Sequence, residues 1–144
     1  MKIEHVLVPI DFSESSQQAI TAAVELREKH PAQLTLLNVI EPMVPYTADI
    51  GIFPLNQEVE REEAVKKRLR EVADAISPGI PVNIVCLHGK PWRVICDWAA
   101  DNNADLIVIP THGYSGLLHM WMGSVAERVV QKAPCPVLVV RAKS

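Results

Sequence analysis

Two glycines and a serine near the carboxyl end of the chain have the residue types and the spacing of an anion site. Gly113 follows an apolar run, and after nine intervening residues Gly123 and Ser124 precede an amphipathic segment. The start of a helix offers unpaired backbone N–H groups and the positive end of the helix dipole. A glycine there lets a phosphate approach the backbone without meeting a Cβ, and a serine adds a hydroxyl donor. The pattern predicts a loop that closes around a phosphate.

The same residues also fit a purely structural role. Ser124 and Glu127 form the S-x-x-E pattern of a capping box, which would explain Ser124 without a ligand. Gly113 could supply a turn with a positive φ. Both interpretations remain open on these residues alone. The G-x-G-x-x-G and G-x-x-x-x-G-K-[ST] fingerprints are absent, which argues against hydride transfer and Walker-type hydrolysis.

The rest of the chain predicts the elements that position this loop. Apolar runs rich in β-branched residues predict strands at residues 5–11, 32–41, 80–88, 104–112 and 135–141. Apolar residues at helical spacing predict helices within residues 12–30, 56–76, 89–103 and 124–133. Apolar strands that alternate with amphipathic helices are typical of a parallel sheet covered on both faces. We therefore predict one doubly wound α/β domain over residues 1–144.

Local signals refine this plan. Ser13 is the expected N-cap of the first helix, and Pro91 suits the first turn of the third. The segment Pro42–Leu55 contains three prolines and is the only long irregular connection that the sequence predicts. We predict that it is a mobile flap and not a domain boundary, and the sequence leaves its role open.

Composition and charge restrict the functional classes. The chain has 144 residues, of which 49% are hydrophobic, and this favours a folded core over disorder. Its net charge of −3 is spread along the sequence and provides no basic field for nucleic acid. No apolar run reaches the ~20 residues of a membrane helix, and the charged start resembles no secretion signal. We expect a cytoplasmic protein that binds neither nucleic acid nor membrane.

Metal and covalent chemistry have little support in the sequence. The three cysteines form no C-x-x-C pair and are interpreted as small buried apolar side chains. The five histidines lack the spacings of metal ligands. No G-x-S-x-G elbow is present, so a serine hydrolase is disfavoured. We predict no dedicated catalytic residue.

The ends of the predicted strands supply further candidates, because ligands of doubly wound sheets bind beyond the carboxyl ends of the strands. The first strand ends in Pro9, Ile10 and Asp11. The second ends at Val39–Glu41, and the fourth at Pro110–Gly113. Asp11 has a structural alternative, since an aspartate in this place can also initiate the helix that follows.

In these motifs the chain resembles a known family, the universal stress proteins. Nucleotide-binding members contain G-x-x-G, nine residues, and then G-[S/T]; here the second half is reproduced by Gly113, YSGLLHMWM and Gly123-Ser124. The resemblance extends through VLVPIDFSESSQQAI, LTLLNVIEP, GKPWRVICDWAADNNADLIVIPTHG and GSVAERVVQKAPCPVLVVR. It covers the chain apart from the flap and the second helix. It implies a parallel sheet in the order 3-2-1-4-5 and a dimer.

The resemblance also implies a site for ATP or AMP, with Mg²⁺ as a candidate companion ion. Asp11 then lies near the base and ribose, and Val39 flanks the adenine. The residues implied or predicted to bind the nucleotide are Pro9, Ile10, Asp11, Val39, Ile109, Pro110, His112, Gly113, Gly123, Ser124 and Val125. The motif contains no strongly activating Lys or Arg, so any ATP hydrolysis should be slow.

One position departs from the motif. Its first glycine is Pro110 here, which fixes φ and removes an N–H. If that amide contacts phosphate, a hydrogen bond is lost; if only the backbone shape matters, proline is tolerated.

The last predicted strand suggests how the chain assembles. Pro136–Arg141 is apolar and β-branched, yet the implied strand order places it at an edge of the sheet. An exposed apolar edge favours association unless it is covered. We predict a homodimer through this strand and a downstream protein partner of unknown identity. The alternative function is a dimeric interaction module of the same fold that binds no nucleotide.

Overall fold

The computed structural model describes residues 1–42, 55–76, 79–111 and 122–141. Within them, strands and helices alternate as predicted. The strands are β1 (His5–Pro9), β2 (Gln33–Ile40), β3 (Val82–His88), β4 (Leu106–Pro110) and β5 (Val137–Val140). The helices are α1 (Glu14–Lys29), α2 (Leu55–Ala75), α3 (Pro91–Asp101) and α4 (Met122–Lys132). Most of the predicted flap and most of the glycine loop, with His112 and Gly113, lie outside the described residues.

The strands form one parallel sheet in the order β3-β2-β1-β4-β5, which confirms the predicted doubly wound topology. β1 pairs with β2 over five residues, up to Pro9 opposite Leu37. The register between β1 and β4 is shorter, because it covers only Val6–Leu106 and Leu7–Ile107. The strand order reverses between β1 and β4, so this boundary is the switch point at which such sheets bind ligands.

Successive residues of each strand face opposite layers of helices. One layer contains α1 and α2, and it packs on one set of strand residues: Val6, Val8, Leu34, Leu36, Leu106 and Val108. The other layer contains α3 and α4, and it packs on the alternate set: Leu7, Leu37, Val39, Ile107 and Ile109. Both faces of the central strands are therefore buried, which explains why their sequences are continuous apolar runs.

The predicted signals at α1, α2 and α3 are confirmed. The Ser13 side chain caps α1 by accepting the N–H of Ser16 at 3.2 Å. Pro91 occupies the first turn of α3, where a missing N–H costs no hydrogen bond. In α2 the stripe predicted from helical periodicity packs on the sheet, with Leu69 and Ile76 buried.

Candidate functional site

The carboxyl ends of β1 and β4 border a crevice. α1 packs on one face of the sheet after β1, whereas α4, which follows β4 in the chain, packs on the other. Segments that leave neighbouring strands in opposite directions open a gap between them. Asp11 is the second residue after β1 and Thr111 is the first residue after β4, so both lie at the rim of this gap.

Two prolines face each other at this boundary. Ile10 donates its N–H to a carbonyl of β2 at 2.8 Å, so strand alternation directs the backbone of residue 9 at β4. Thr111 donates its N–H to a carbonyl of β5 at 2.9 Å, so residue 110 is directed at β1. Pro9 and Pro110 occupy these positions, and neither has an N–H. The strands can separate here without leaving a buried N–H unpaired, which accounts for their short register.

This geometry bears on the departure of Pro110 from the motif. An N–H at position 110 would point within the sheet toward β1, and not outward from the strand end. The hydrogen bond that proline removes is therefore one between strands. The backbone at this position is buried with the rest of β4, whose five residues are all buried.

Asp11 has one engaged carboxylate oxygen and one free one. Its Oδ1 accepts the N–H of Ser13 at 3.0 Å and the hydroxyl of Ser16 at 2.7 Å. Its Oδ2 is buried and has no hydrogen-bond partner among the residues that the structure describes. Asp11 therefore has the structural role that the sequence left open, because its Oδ1 accepts hydrogen bonds at the start of α1. Only one of its two oxygens has this role. A buried oxygen without a donor is costly, by about 1–3 kcal/mol or more for a charged group, so Oδ2 is poised to accept a ligand donor.

Buried neighbours hold Asp11 in place. Asn38 lies in the middle of β2 with 6% of its surface exposed, and its Nδ2 donates to the carbonyl of Ile10 at 2.9 Å. Phe12 follows with φ at 65°, a conformation rarely adopted by a bulky residue. The Arg68 guanidinium lies 4.1 Å from the centre of the Phe12 ring and stabilises this turn. Sequence reasoning missed Asn38, although a polar residue inside an otherwise apolar strand is a signal of a buried hydrogen bond.

The apolar site candidates separate into two layers. Val39, Ile109 and Val125 belong to the same buried cluster, on the α3 and α4 face of the sheet. Ile10 belongs to the cluster on the opposite face. It can therefore take part in this site only through its backbone.

The first turn of α4 begins earlier than predicted. α4 starts at Met122, so Gly123 is its second residue and Ser124 its third. This start lies within one or two residues of the predicted one, so the capping-box interpretation of Ser124 stays a prediction beside the anion-site interpretation. The backbone N–H groups of the first four helical residues have no partner within the helix. Gly123, Ser124 and Val125 all lie in this anion-attracting turn.

A cavity of about 310 Å³ adjoins this turn. It lies between α3 and α4, and its walls combine two cations, a carboxylate, an indole and the start of α4: Lys90, Trp92, Ser124, Val125, Glu127, Arg128 and Gln131. Arg128 is stacked against Trp92, with 5.7 Å from its guanidinium carbon to the ring centre. The Trp92 Nε1 is buried, and no described residue forms a hydrogen bond with it. An unpaired buried donor costs about 1–3 kcal/mol, which favours an acceptor nearby.

Lys90 is placed where a cation is unfavourable. It is the N-cap of α3, and its side chain makes no capping hydrogen bond. Serine, threonine, aspartate or asparagine is normally preferred there, and a positive charge opposes the helix dipole. Gly89, with φ at +142°, fixes this start, because a Cβ there would lie 2.8 Å from Val94 Cγ2. An anion in the cavity would relieve the repulsion.

Sequence reasoning missed Lys90 and Arg128, which lie far apart in the chain. Their convergence depends on the packing of α3 against α4. The available signal was local: Gly-Lys-Pro before a helix puts a lysine at a helix start, against the dipole rule.

Across the described ranges, no helix has both the length and the apolar character needed to cross a membrane. In the same part of the chain, no three His, Cys, Asp or Glu side chains form a group that could hold a metal ion. Burial raises the pKa of the Cys86, Cys96 and Cys135 thiols. These side chains therefore stay protonated at neutral pH.

We expect the native thiols to react slowly with iodoacetamide at pH 8, at least about tenfold more slowly than in denaturant. The thiolate is the reactive form, and burial disfavours it at all three cysteines, of which Cys96 is 7% exposed. Since these pKa values exceed the unfolded value of about 8.5, their contribution to stability is complete below pH ~8.5 and is lost as pH rises through the folded values. Mass-spectrometric counting of alkylated cysteines measures the rates. Equal native and denatured rates would contradict the expectation.

The chain is similar to known proteins over almost its whole length. The model of the Universal stress protein family matches residues 2–141. The chain is 34% identical over 140 residues to the universal stress protein MJ0531 of Methanocaldococcus jannaschii, covering 94% of this chain and 81% of that protein. It is 33% identical over 144 residues to the universal stress protein YxiE of Bacillus subtilis, covering 94% and 97%.

Solved structures of similar architecture include one of MJ0577, with a TM-score of 0.83 at 26% identity, covering 100% of this chain and 99% of that one. A universal stress protein in complex with cAMP has a TM-score of 0.71 at 23% identity, with coverage of 99% and 100%. A member from Arabidopsis thaliana with AMP bound has a TM-score of 0.60 at 20% identity, with coverage of 98% and 93%. At such identities the last two likenesses concern the fold alone.

Proposed function

The chain belongs to the universal stress protein family, and from that premise we propose that it binds an adenine nucleotide at the switch point of its sheet. The observation that carries the proposal is the buried Asp11 Oδ2 beside the crevice, an acceptor for which the described part of the chain supplies no donor. Ribose hydroxyls and the adenine amino group are donors of the kind it lacks. The nucleotide would act as the signal of a stress-responsive regulator.

The remaining parts of the site suit the rest of such a ligand. Val39, Ile109 and Val125 belong to the buried apolar cluster on the α3 and α4 face, so the core next to the strand ends is apolar, as a site for a base requires. The first turn of α4, with Gly123 and Ser124, provides N–H groups for a phosphate. The relatives with cAMP and AMP make adenine nucleotides the first class to test. His112 and Gly113 remain predicted contacts that lie outside the described residues.

ATP and AMP are both candidates within this proposal. Mg²⁺ would accompany a triphosphate and take phosphate oxygens among its ligands. The cytoplasm remains the expected compartment, and the downstream partner would be a protein that distinguishes the nucleotide-bound state from the free one.

A second candidate function is a dimeric interaction module that needs no nucleotide. It is favoured by the apolar surface at the β5 edge, where Val130 is 52%, Leu138 39% and Val139 40% exposed. Exposed apolar side chains beside an unpaired strand edge favour association with a second copy. We propose the homodimer through Pro136–Arg141 under either function, so nucleotide binding is the property that separates the two.

Replacing Gly123 with valine should weaken ATP and AMP binding by at least about tenfold, because a branched side chain in the first turn of α4 obstructs the phosphate. Isothermal titration of wild type and variant with both nucleotides measures this. Lys132→Val is the matched control, since it puts the same residue in the last turn of α4. It should leave both affinities within about twofold of wild type, because its effect is confined to helix propensity.

Mass spectrometry of nucleotide released from the denatured, purified protein is the companion measurement. Recovery of an adenine nucleotide, together with loss of titration in Gly123→Val alone, supports the proposal. A wild-type chain that releases no nucleotide and binds neither ATP nor AMP would instead establish the interaction module.

A further inference from the structure

We propose that Asn38 and Ser16 are positioning residues of the nucleotide site, which act by holding Asp11 in the conformation that its ligand requires. The inference rests on the proposed function and deepens it, because it names the side chains that fix the acceptor before a nucleotide binds. Two buried side chains, one from β2 and one from α1, bind the two polar atoms of the peptide group that joins Ile10 to Asp11, and this juxtaposition carries the inference.

The peptide group between Ile10 and Asp11 is held by side chains at its carbonyl and at its N–H. The Ile10 carbonyl accepts a hydrogen bond from Nδ2 of Asn38 at 2.9 Å. The Asp11 N–H donates to Oγ of Ser16 at 3.0 Å. A peptide group is planar, so fixing both of these atoms also fixes the Cα atom at each end. Asn38 and Ser16 therefore orient the backbone of Asp11 at a point where β1 has already ended, at Pro9.

Ser16 also fixes the carboxylate of Asp11. The Ser16 hydroxyl accepts the Asp11 N–H and donates to Asp11 Oδ1 at 2.7 Å, so it binds the backbone and the side chain of the same residue. The Ser13 N–H donates to the same oxygen at 3.0 Å. Because Oδ1 has two donors, the carboxylate cannot turn without breaking hydrogen bonds. Oδ2, which no described residue binds, is the oxygen left to accept a donor from a ligand.

The burial of the two side chains favours a specific role over an incidental one. Ser16 is 1% exposed and Asn38 is 6% exposed. Asn38 interrupts the apolar run of β2, and an amide in such a place costs free energy unless it is hydrogen-bonded. Buried polar groups whose hydrogen bonds are made specify one conformation of their surroundings. Here the conformation that they specify is that of Asp11.

The residue that follows Asp11 shows that the path of the chain is imposed by its contacts. Phe12 has φ at 65°, and a bulky residue remains in this strained conformation only where the surrounding structure holds it there. Asn38 and Ser16 fix the chain before Phe12, and the Arg68 guanidinium stacks on its ring. Strain of this kind is concentrated at ligand sites, where it contributes to preorganisation. A site that is ordered before the ligand arrives loses less entropy on binding.

The experiment measures AMP affinity by isothermal titration for wild type, Ser16→Ala, Asn38→Ala and Ser13→Ala, with circular dichroism to verify folding. We expect Ser16→Ala and Asn38→Ala each to bind AMP about tenfold more weakly, because Asp11 then has to be ordered when the ligand binds. Ser13→Ala is the matched control, since it removes the hydroxyl that caps α1 and keeps the N–H that Asp11 accepts. It should lower the melting temperature and leave the affinity within about twofold of wild type.

A double-mutant cycle separates positioning from a general effect on the fold. In Asp11→Asn the ligand acceptor is already lost, so the addition of Ser16→Ala should change the affinity by less than about twofold. A tenfold loss that persists in the Asp11→Asn background would overturn the inference. So would a Ser16→Ala variant that binds AMP as wild type does. If Asn38→Ala does not fold, the Ser16→Ala results decide alone.

Hydrogen exchange of the Asp11 amide, measured by NMR without nucleotide, distinguishes failure of this inference from failure of the proposed function. The Asp11 N–H should exchange at least about tenfold faster in Ser16→Ala than in wild type, because its acceptor is gone. If this difference is found and wild type binds no nucleotide, the proposed function is wrong and the positioning of Asp11 by Ser16 stands. Equal exchange rates would show that the positioning role is wrong, whether or not a nucleotide binds.

Discussion

Replacing Val139 with proline is expected to convert a dimer into a monomer at micromolar protein, with a loss of about 100-fold or more in association. The proposed interface pairs β5 with the β5 of a second copy about a two-fold axis. A dimer of the variant therefore contains the substitution in both copies of β5, and both affect the same interface. Two lost N–H donors at ~1–1.5 kcal/mol each, together with the altered strand edge, account for this magnitude.

The hydrogen bonds of β5 make this substitution specific. Thr111 and Ile107 donate their N–H groups to the carbonyls of Val140 and Pro136. Even-numbered residues of β5 therefore direct their backbone at β4, and Val139 directs its N–H and carbonyl outward. A proline at 139 removes a donor from the free edge while the ladder to β4 stays intact.

Light scattering on wild type and Val139→Pro measures the change, and circular dichroism should show that the fold is kept. Val139→Ala is the matched control, because it retains the outward N–H and removes only apolar side-chain surface. It should weaken the dimer less than proline does. A wild-type chain that is monomeric at the same concentration, or a proline variant that remains dimeric, would refute the interface.

Replacing Asp11 with asparagine should weaken nucleotide binding by about 30- to 150-fold, which corresponds to ~2–3 kcal/mol for a lost charge-assisted hydrogen bond. The substituted side chain keeps one oxygen for Ser13 and Ser16 and presents an NH₂ group in place of Oδ2. A ligand hydroxyl or amino donor would then meet another donor. The melting temperature of the free protein should stay equal to that of wild type or rise, because a buried charged oxygen without a partner is removed.

Isothermal titration and thermal denaturation test both parts of this expectation. Asp97→Asn makes the same change of charge at an exposed position of α3 and should alter neither property by more than about 0.5 kcal/mol. Asp11→Asn with unchanged affinity would show that Oδ2 has no ligand. Asp11→Asn with a collapsed melting temperature would show that Asp11 serves the fold alone.

Much of the fold could be predicted because the spacing of apolar residues along a strand or helix indicates which of its faces are buried. The continuous apolar run of β4 is buried on both faces, and the stripe of Leu69 and Ile76 on α2 packs on the sheet. The strand order came from resemblance and is confirmed. α4 begins at Met122, one or two residues before the predicted start at Gly123 and Ser124, because sequence patterns locate a helix end only to within such a margin.

The candidate site was only partly accessible to sequence reasoning. Asp11 could be found because a polar residue after an apolar strand is conspicuous. That its two oxygens have separate environments depends on Ser16, one helical turn into α1, and no pattern reports this. Lys90 and Arg128 become neighbours only through the packing of α3 on α4, a contact between side chains that leaves no periodic trace in the sequence.

The facing prolines at the β1–β4 boundary have a consequence for how the sheet opens. Elsewhere in a sheet, parting two strands breaks main-chain hydrogen bonds one residue at a time. At the ends of β1 and β4, Pro9 and Pro110 leave no such bonds to break, so the first step of separation there has little enthalpic resistance. Thermal motion would then separate β1 from β4 at their carboxyl ends before it separates any other pair of strands. A planar molecule arriving from solvent could insert between the strand ends without first displacing a partner strand.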